Sequence, residues 1–252
     1  MNNGINIIET TLLRGRVQLL QPRQGFHASI DSVFLAAAAA VKDHAALLDV
    51  GCGVGSAGLC VMARNKTIHL TGIDIQPELT DLAHQNATLS GFAARAAFFC
   101  GDIRNEKHIK DNSFNNVLMN PPYLESGTYT ISPEKIKATS HGEGASGATL
   151  ADWVKYAHKK LKQGGHLTMI HRADRLDDVI LELTKKRWFG SLVVFPLLSH
   201  TGEDAKRVII QARKERYSPC VLKSGMVIHK ENGKYTKEAE AVLSDATAIV
   251  LR

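Results

Sequence analysis

The residues that most restrict this fold are Ala46-Leu47-Leu48-Asp49-Val50, an apolar run passing without a spacer into Gly51-Cys52-Gly53-Val54-Gly55-Ser56-Ala57-Gly58 and then into a helical stretch reaching Met62. The order reads as strand, glycine loop, helix. Such a loop lets the backbone approach a ligand closely, and the helix start offers free N–H groups. Gly53 to Gly58 spells G-x-G-x-x-G, and Asp74 follows near the spacing of a ribose-binding acid in dinucleotide folds, so a nicotinamide enzyme is one reading. Asp49, which closes the strand, suits a cofactor with a cationic amino-acid tail better than one with a pyrophosphate. The loop alone leaves both open.

Downstream the pattern repeats. Ile68 to Asp74 forms a second strand ending in an acid, and Pro77 opens a helix with Leu79, Leu82, Ala83 and Asn86 at helical spacing. Ala96 to Cys100 is a third strand, followed by Gly101-Asp102-Ile103, and Asn116 to Met119 is a fourth. Trp153, Tyr156, Ala157 and Leu161 define a helix expected to end at Gly164-Gly165, before a strand over His166 to Ile170 and a helix carrying Leu176, Val179, Ile180 and Leu183. Ser191 to Leu197 and Arg207 to Ala212 follow with only a short loop between them, which predicts an antiparallel pair. The expected fold is therefore α/β and Rossmann-like: a seven-stranded, mostly parallel sheet with one antiparallel strand and helices on both faces.

The ends are less regular. Met1 to Thr10 shows no strong period and reads as a mobile terminus or short edge element, whereas a capping-type entrance at Ser29 to Ser32 predicts a buried helix over Asp31 to Val41. The tail carries Met226-Val227-Ile228-His229, an Asn232-Gly233 turn and a terminal helix from Lys237. One domain over residues 1–252 is expected, with a lead-in over 1–45, a core over 46–212 and an appendage over 213–252.

Chemistry concentrates at Asn120-Pro121-Pro122-Tyr123, directly after the fourth strand. The prolines fix φ and push Asn120 to extended angles, so a carboxamide, rigid carbonyls and a flat ring project from a strand end. Carbonyl oxygens of Asn120 and Pro121 can accept from an amino nitrogen, and Tyr123 can stack on a planar substrate. At the other strand ends, Asp74 can take ribose hydroxyls, with Ile75 beside it. Asp102 can accept from an adenine amino group while Ile103 packs on the ring. Asp31, at the polar start of its helix, is a further candidate for the cofactor side. The polar segment from Glu125 to Ala148 is long enough to be a lid or binding loop.

Composition narrows the partners. The chain is 44% hydrophobic and 22% charged, lacks the roughly 18 uninterrupted apolar residues of a membrane span, and shows no signal-peptide order, so a cytoplasmic protein without membrane contact is expected. Cys52, Cys60, Cys100 and Cys220 are scattered without metal-ligand spacing and are expected to be reduced and structural, with no metal. A net charge of +6 and a pI near 9.1 favour a polyanion. Lys159-Lys160-Leu161-Lys162, Lys185-Lys186-Arg187, Arg213-Lys214-Glu215-Arg216 and the early Arg14, Arg16 and Arg23 are the candidate contacts. Oligomeric state is left open.

With these residues assembled, the chain resembles class I S-adenosylmethionine-dependent methyltransferases of the amino-methylating kind. Asp49 to Gly55 looks like their first cofactor motif, Asp74 like their ribose acid, Gly101-Asp102-Ile103 like their adenine-binding turn, and Asn120 to Tyr123 like their N-P-P-Y motif. The resemblance implies S-adenosyl-L-methionine as cofactor, held by Asp31, Asp49, Gly51, Gly53, Asp74, Ile75, Asp102, Ile103 and Asn120. It implies Asn120, Pro121 and Tyr123 as catalytic residues. The lead-in from Gly25-Phe26-His27 to Asp31-Ser32 and the tail from Val227 to Thr236 resemble the bacterial family that makes N6-methyladenosine beside the anticodon of valine tRNA, which implies RNA, as tRNA rather than DNA, as partner. The glutamine N5-methyltransferases of release factors are the runner-up, and N-methylation of rRNA and a non-catalytic cofactor- or RNA-binding module are the further alternatives. The release-factor enzymes usually carry a helical domain before the first motif, for which the 48 residues preceding Asp49 leave little room.

Overall fold

The computed structural model describes residues 6–24, 29–122 and 147–251. The site-bearing half alternates strand and helix: β3 (Ala46–Val50), α2 (Ser56–Arg64), β4 (His69–Asp74), α3 (Pro77–Leu89), β5 (Ala96–Cys100) and β6 (Phe114–Met119). Then come α4 (Leu150–Lys160), β7 (Leu161–Arg172), α5 (Leu176–Thr184), β8 (Phe189–Leu198) and β9 (Ala205–Lys214). Among the described residues the sheet order is β10-β8-β9-β7-β6-β3-β4-β5, where β10 is Val221–Leu222, and β11 (Met226–Val227) also pairs with β8. Strands β3 to β7 are mutually parallel, and β9 lies antiparallel between β7 and β8. The seven-stranded, mostly parallel sheet read from the sequence is present, widened by two short strands at one edge.

Strand alternation divides the core. Leu47, Leu70, Leu118 and Ile170 pack with α1 (Ile30–Ala37) and α2 on one face, while Leu48, Val50, Val117, Leu167 and Met169 pack with Trp153, Tyr156, Val179 and Leu183 of α4 and α5 on the other. Burial on both faces is why these strands read as continuous apolar runs. The chain leaves β3 outward through β4 and β5, then crosses back to place β6 on the opposite side of β3. That reversal opens a crevice beyond the carboxyl ends of β3 and β6, where ligands of open α/β sheets bind.

Three boundaries differ from expectation. The N-terminal region forms an antiparallel hairpin, β1 (Ile7–Leu12) with β2 (Val17–Pro22), turning through Leu13, Arg14 and Gly15 at positive φ. Its alternation lies in Val17, Leu19 and Gln21, which are buried. Helix α1 stops at Ala37 because other elements take its last carbonyls: Ile249 N–H donates to Ala37, the Gln211 amide to Ala38 and the Asn116 amide to Ala40. Helix α4 ends at Lys160, and Gly164-Gly165 lie within β7, where the register jumps from Phe114↔Leu161 to Asn116↔His166. Gly164 sits at φ +72°, and a Cβ on Gly165 would come within 2.9 Å of Leu161 Cδ2. The glycines serve a bulge rather than a helix end.

The tail packs inward. Helix α6 (Lys237–Ser244), capped by Thr236, contributes Ala239 and Val242 to the same core as α1, and Ile249 and Leu251 join them. Cys52 and Cys60 are buried, whereas Cys100 and Cys220 are exposed, so the structural role expected of all four fits only the first two. No described helix is long and apolar enough to cross a membrane.

Asn86 joins the hairpin to this frame. Fully buried on α3, it accepts from Leu20 N–H (2.7 Å) and donates to the carbonyls of Leu20 and Val54, both at 3.0 Å. Asn86→Ala is expected to cost roughly 2 kcal/mol or more by orphaning these groups. Urea unfolding will measure the loss, and hydrogen exchange at the Leu20 amide should accelerate with it.

Candidate active site

The crevice is built from strand ends brought level by register. Val50 pairs with Ile73 on one side and Met119 on the other, so Gly51 and Asn120 emerge beside each other, and Asp74 pairs with Cys100 just before Gly101. Gly51, Gly53 and Gly55 all have positive φ. A Cβ on Gly51 would lie 2.3 Å from the Trp153 ring, so glycine is required there by contact as well as by conformation. Gly58 brings α2 close to the sheet: its Cβ would meet Leu70 at 2.7 Å and the Asp49 carboxylate at 3.1 Å.

Two carboxylates organise the loop. Asp49 Oδ2 accepts from Gly58 N–H and Asp74 Oδ2 from Gly53 N–H, both at 2.9 Å, and Asp74 Oδ1 accepts from Gln76 N–H at 3.0 Å. Burial, abetted by Asp74, pushes Asp49 up to about 7 against the lowering effect of the Gly58 N–H. Asp74 is raised as well, again by burial. Among the described residues neither has a cationic partner. A cationic ligand relieves this arrangement and a pyrophosphate aggravates it, which decides against the nicotinamide reading. The residues present therefore fit a ligand that brings a cationic ammonium or sulfonium to the loop.

Beyond β4, Ile75 leaves 53% of its surface open beside Asp74, an apolar platform at the mouth of the crevice. Asp102 is half-buried, and the Arg104 guanidinium, bonded to both its oxygens, holds it below the usual carboxylate range. An adenine amino group would share that carboxylate with Arg104. Ile103 packs against the core cluster of α4. The loop they occupy is anchored by Glu106, which accepts from Tyr156 O–H at 2.9 Å and pairs with Lys160 at 3.1 Å.

Asn120 is half-buried at the end of β6, followed by buried Pro121 and exposed Pro122. Tyr123 and residues 125–146 of the expected lid lie outside the described residues. Asp31 lies elsewhere on the rim: its carboxylate pairs with Arg207 of β9 at 3.0 Å, tying α1 to a strand two places from β6.

Sequence reasoning missed Asn86, Glu106 and Trp153. Asn86 had a signal, a polar side chain in the apolar stripe of α3, whereas the other two act through contacts remote in sequence. It also misassigned two cations. Lys160 (1% exposed) pairs with Glu106 and Asp111, and Lys214 (5%) donates to Asn112 and to the carbonyls of His158 and Leu161. They are structural, because each finds several acceptors at the start of β7.

Comparison with known proteins agrees with this geometry. The family model described as "Methyltransferase small domain" matches residues 27–184. A Shewanella baltica protein named tRNA1(Val) (adenine(37)-N6)-methyltransferase is 25% identical over 229 residues, covering 88% of this chain and 92% of that one. The protein of that name from Porphyromonas gingivalis is 27% identical over 197 residues, covering 76% and 75%. Among solved structures, a predicted O-methyltransferase from Agrobacterium tumefaciens superposes with a TM-score of 0.72 at 22% identity, covering 88% of this chain and 99% of that one. The tRNA (m1A58) methyltransferase of Aquifex aeolicus gives 0.53 at 13% identity, covering 78% and 72%.

The raised Asp49 makes a signed prediction. With a folded pKa near 7 and an ordinary unfolded value near 4, its stabilising contribution is complete below about pH 4 and lost as pH rises through 7. Between pH 5 and 7.5 ligand-free wild type should lose roughly 2 kcal/mol relative to Asp49→Asn, read by denaturant unfolding. Equal pH dependence of the two would disprove the assignment.

Proposed function

This chain belongs to the methyltransferase small-domain family, and from that premise we propose that it methylates the exocyclic N6 of an adenosine in tRNA. It is an S-adenosylmethionine-dependent methyltransferase. The observation that carries the substrate reading is the placement of Asn120-Pro121 beside Gly51: amino-nitrogen acceptors stand next to a loop whose carboxylates favour a cation. Relatives named for tRNA adenine-N6 methylation, aligned over most of both chains, support it. A cytoplasmic location follows from such a substrate. One domain comprising lead-in, core and tail is part of the same proposal, favoured by the tail's burial against α1.

S-adenosylmethionine supplies an electrophilic methyl group on a sulfonium. Asp49 would lie toward its cationic end, Asp74 would hold the ribose hydroxyls, and Ile75, Ile103 and Asp102 would hold the adenine. The Asn120 carboxamide oxygen and the Pro121 carbonyl accept the N–H groups of the substrate amine, so its lone pair is directed outward and held in one orientation. Tyr123, named from the sequence motif, would stack on the extruded base. Catalysis here is positioning: acceptors on both N–H groups localise on the nitrogen the lone pair that adenine otherwise shares with its ring, and no strong base is needed because the nitrogen becomes acidic once methylated and releases its proton to water. A release-factor glutamine presents the same N–H groups, and it is the reading to which the chemistry reverts if RNA is not methylated.

Asn120→Ala should leave S-adenosylhomocysteine affinity within about twofold and lower the single-turnover transfer rate about 100-fold, matching the loss of one oriented polar group. Calorimetry and rapid-quench kinetics separate the two. A folded variant with the wild-type rate would refute the role given to Asn120.

A further inference from the structure

Charge is distributed unevenly between the two ends of the sheet. At the crevice rim four arginines among the described residues are matched by acids, Arg104 by Asp102, Arg172 by Asp174, Arg175 by Asp178 and Arg207 by Asp31, and Lys206 alone on β9 there enters no ion pair. At the far end, where β7 and β8 begin and β9 finishes, the balance is reversed. Lys162, Lys186, Arg187, Arg213 and Arg216 enter no ion pair among the described residues. Of the acids nearby, Glu182 pairs with Lys185 and Asp111 with Lys159 and Lys160, while Glu215 is hydrogen-bonded to His158, whose burial favours the neutral ring.

These cations form one surface. Glu215 N–H donates to the Trp188 carbonyl, Tyr217 O–H to the Arg187 carbonyl, and the Arg213 guanidinium to the Gly164 carbonyl. Flat rings alternate with the charges: Lys186 Nζ lies 4.6 Å from the Trp188 centroid and Arg187 lies 4.9 Å from that of Tyr217, a ring 55% exposed. Trp188 is held by His158, stacked 4.9 Å away at 11°. Beside them opens a cavity of about 270 Å³ lined by Arg187, Ser191, Tyr217 and Ser218.

We infer that this basic and aromatic surface is a second docking site for the RNA substrate, gripping a stem remote from the target nucleotide. The inference rests on the tRNA reading above. The ten residues of β9 separate the patch from the rim by about 30 Å, at roughly 3.3 Å per residue. A single loop cannot occupy both ends, but a folded RNA running along the side of the sheet where β10 and β11 cover β8 can. Such a substrate makes different demands on the two ends. Paired arginines at the rim leave the crevice free to admit an extruded base, while cations without ion pairs at the far end, held in place by the rings beneath them, supply sequence-independent affinity for a phosphate backbone.

The test is the full-length triple variant Lys162→Glu, Lys186→Glu, Arg216→Glu, titrated with labelled tRNA and with an anticodon-loop oligonucleotide too short to span the sheet. The tRNA affinity should fall about tenfold or more, and the log–log salt slope should flatten by roughly 2, one increment of 0.7–0.9 per lost phosphate contact. Affinities for the oligonucleotide and for S-adenosylhomocysteine should stay within twofold. Unchanged tRNA affinity and slope would overturn the inference and assign the patch to another partner. An equal loss on the short oligonucleotide would overturn it too. If cofactor binding shows the triple variant to be misfolded, Lys186→Gln with Arg216→Gln decides by the salt slope alone. Patch-dependent tRNA binding without methylation would sink the proposed reaction and leave this surface standing.

Discussion

The Gly58 N–H reaching the buried Asp49 carboxylate is the contact on which the functional end of this protein depends. It seats the first turn of α2 on β3, which is possible only because residue 58 has no Cβ. The loop between them must then double back through glycines at positive φ, presenting Gly53 N–H to Asp74 and the Val54 carbonyl to Asn86. That contact, with the separate bonds from Gly53 and Asn86, ties β3, β4, α3 and the N-terminal hairpin together. It also leaves a carboxylate buried without a cation, a state that binding of a sulfonium or ammonium improves and binding of an anion worsens.

The sheet translates that local arrangement into a division of labour. Its order reverses at β3, so Gly51 and Asn120 are neighbours although 69 positions separate them in the chain. The parallel strands send Gly51, Asp74, Asp102 and Asn120 to one end, and the antiparallel β9 carries Arg213 and Lys214 to the other. Helix α4 links the parts: Trp153 covers Gly51, Tyr156 and Lys160 hold Glu106 under the Asp102 loop, and His158 supports Trp188 at the far end.

Much of this was legible in the chain because strand-end residues are local signals. Asp49, Gly51, Asp74, Asp102 and Asn120 each close an apolar run, and a parallel sheet gathers them without further information. What the chain concealed were properties set by packing between distant segments. Lys159, Lys160 and Lys162 are similar as letters, yet one is sealed against Glu106 and Asp111 while the others face solvent. Gly164-Gly165 look like a helix terminator until Phe114 and Asn116 pair on either side of them. The hairpin went unread because its buried residues, Val17 and Leu19, follow a turn whose first residues, Leu13 and Arg14, adopt positive φ without being glycine.

The central claim, methyl transfer to an adenosine amino group in tRNA, is met most directly by one measurement. Purified protein is incubated with methyl-labelled S-adenosylmethionine and unmodified tRNA, and the digested RNA is analysed by nucleoside mass spectrometry. Label is expected in N6-methyladenosine and is abolished with Asn120→Ala. Label on a ring nitrogen or on ribose, or label appearing only on a release-factor glutamine when that protein is supplied instead, would contradict it.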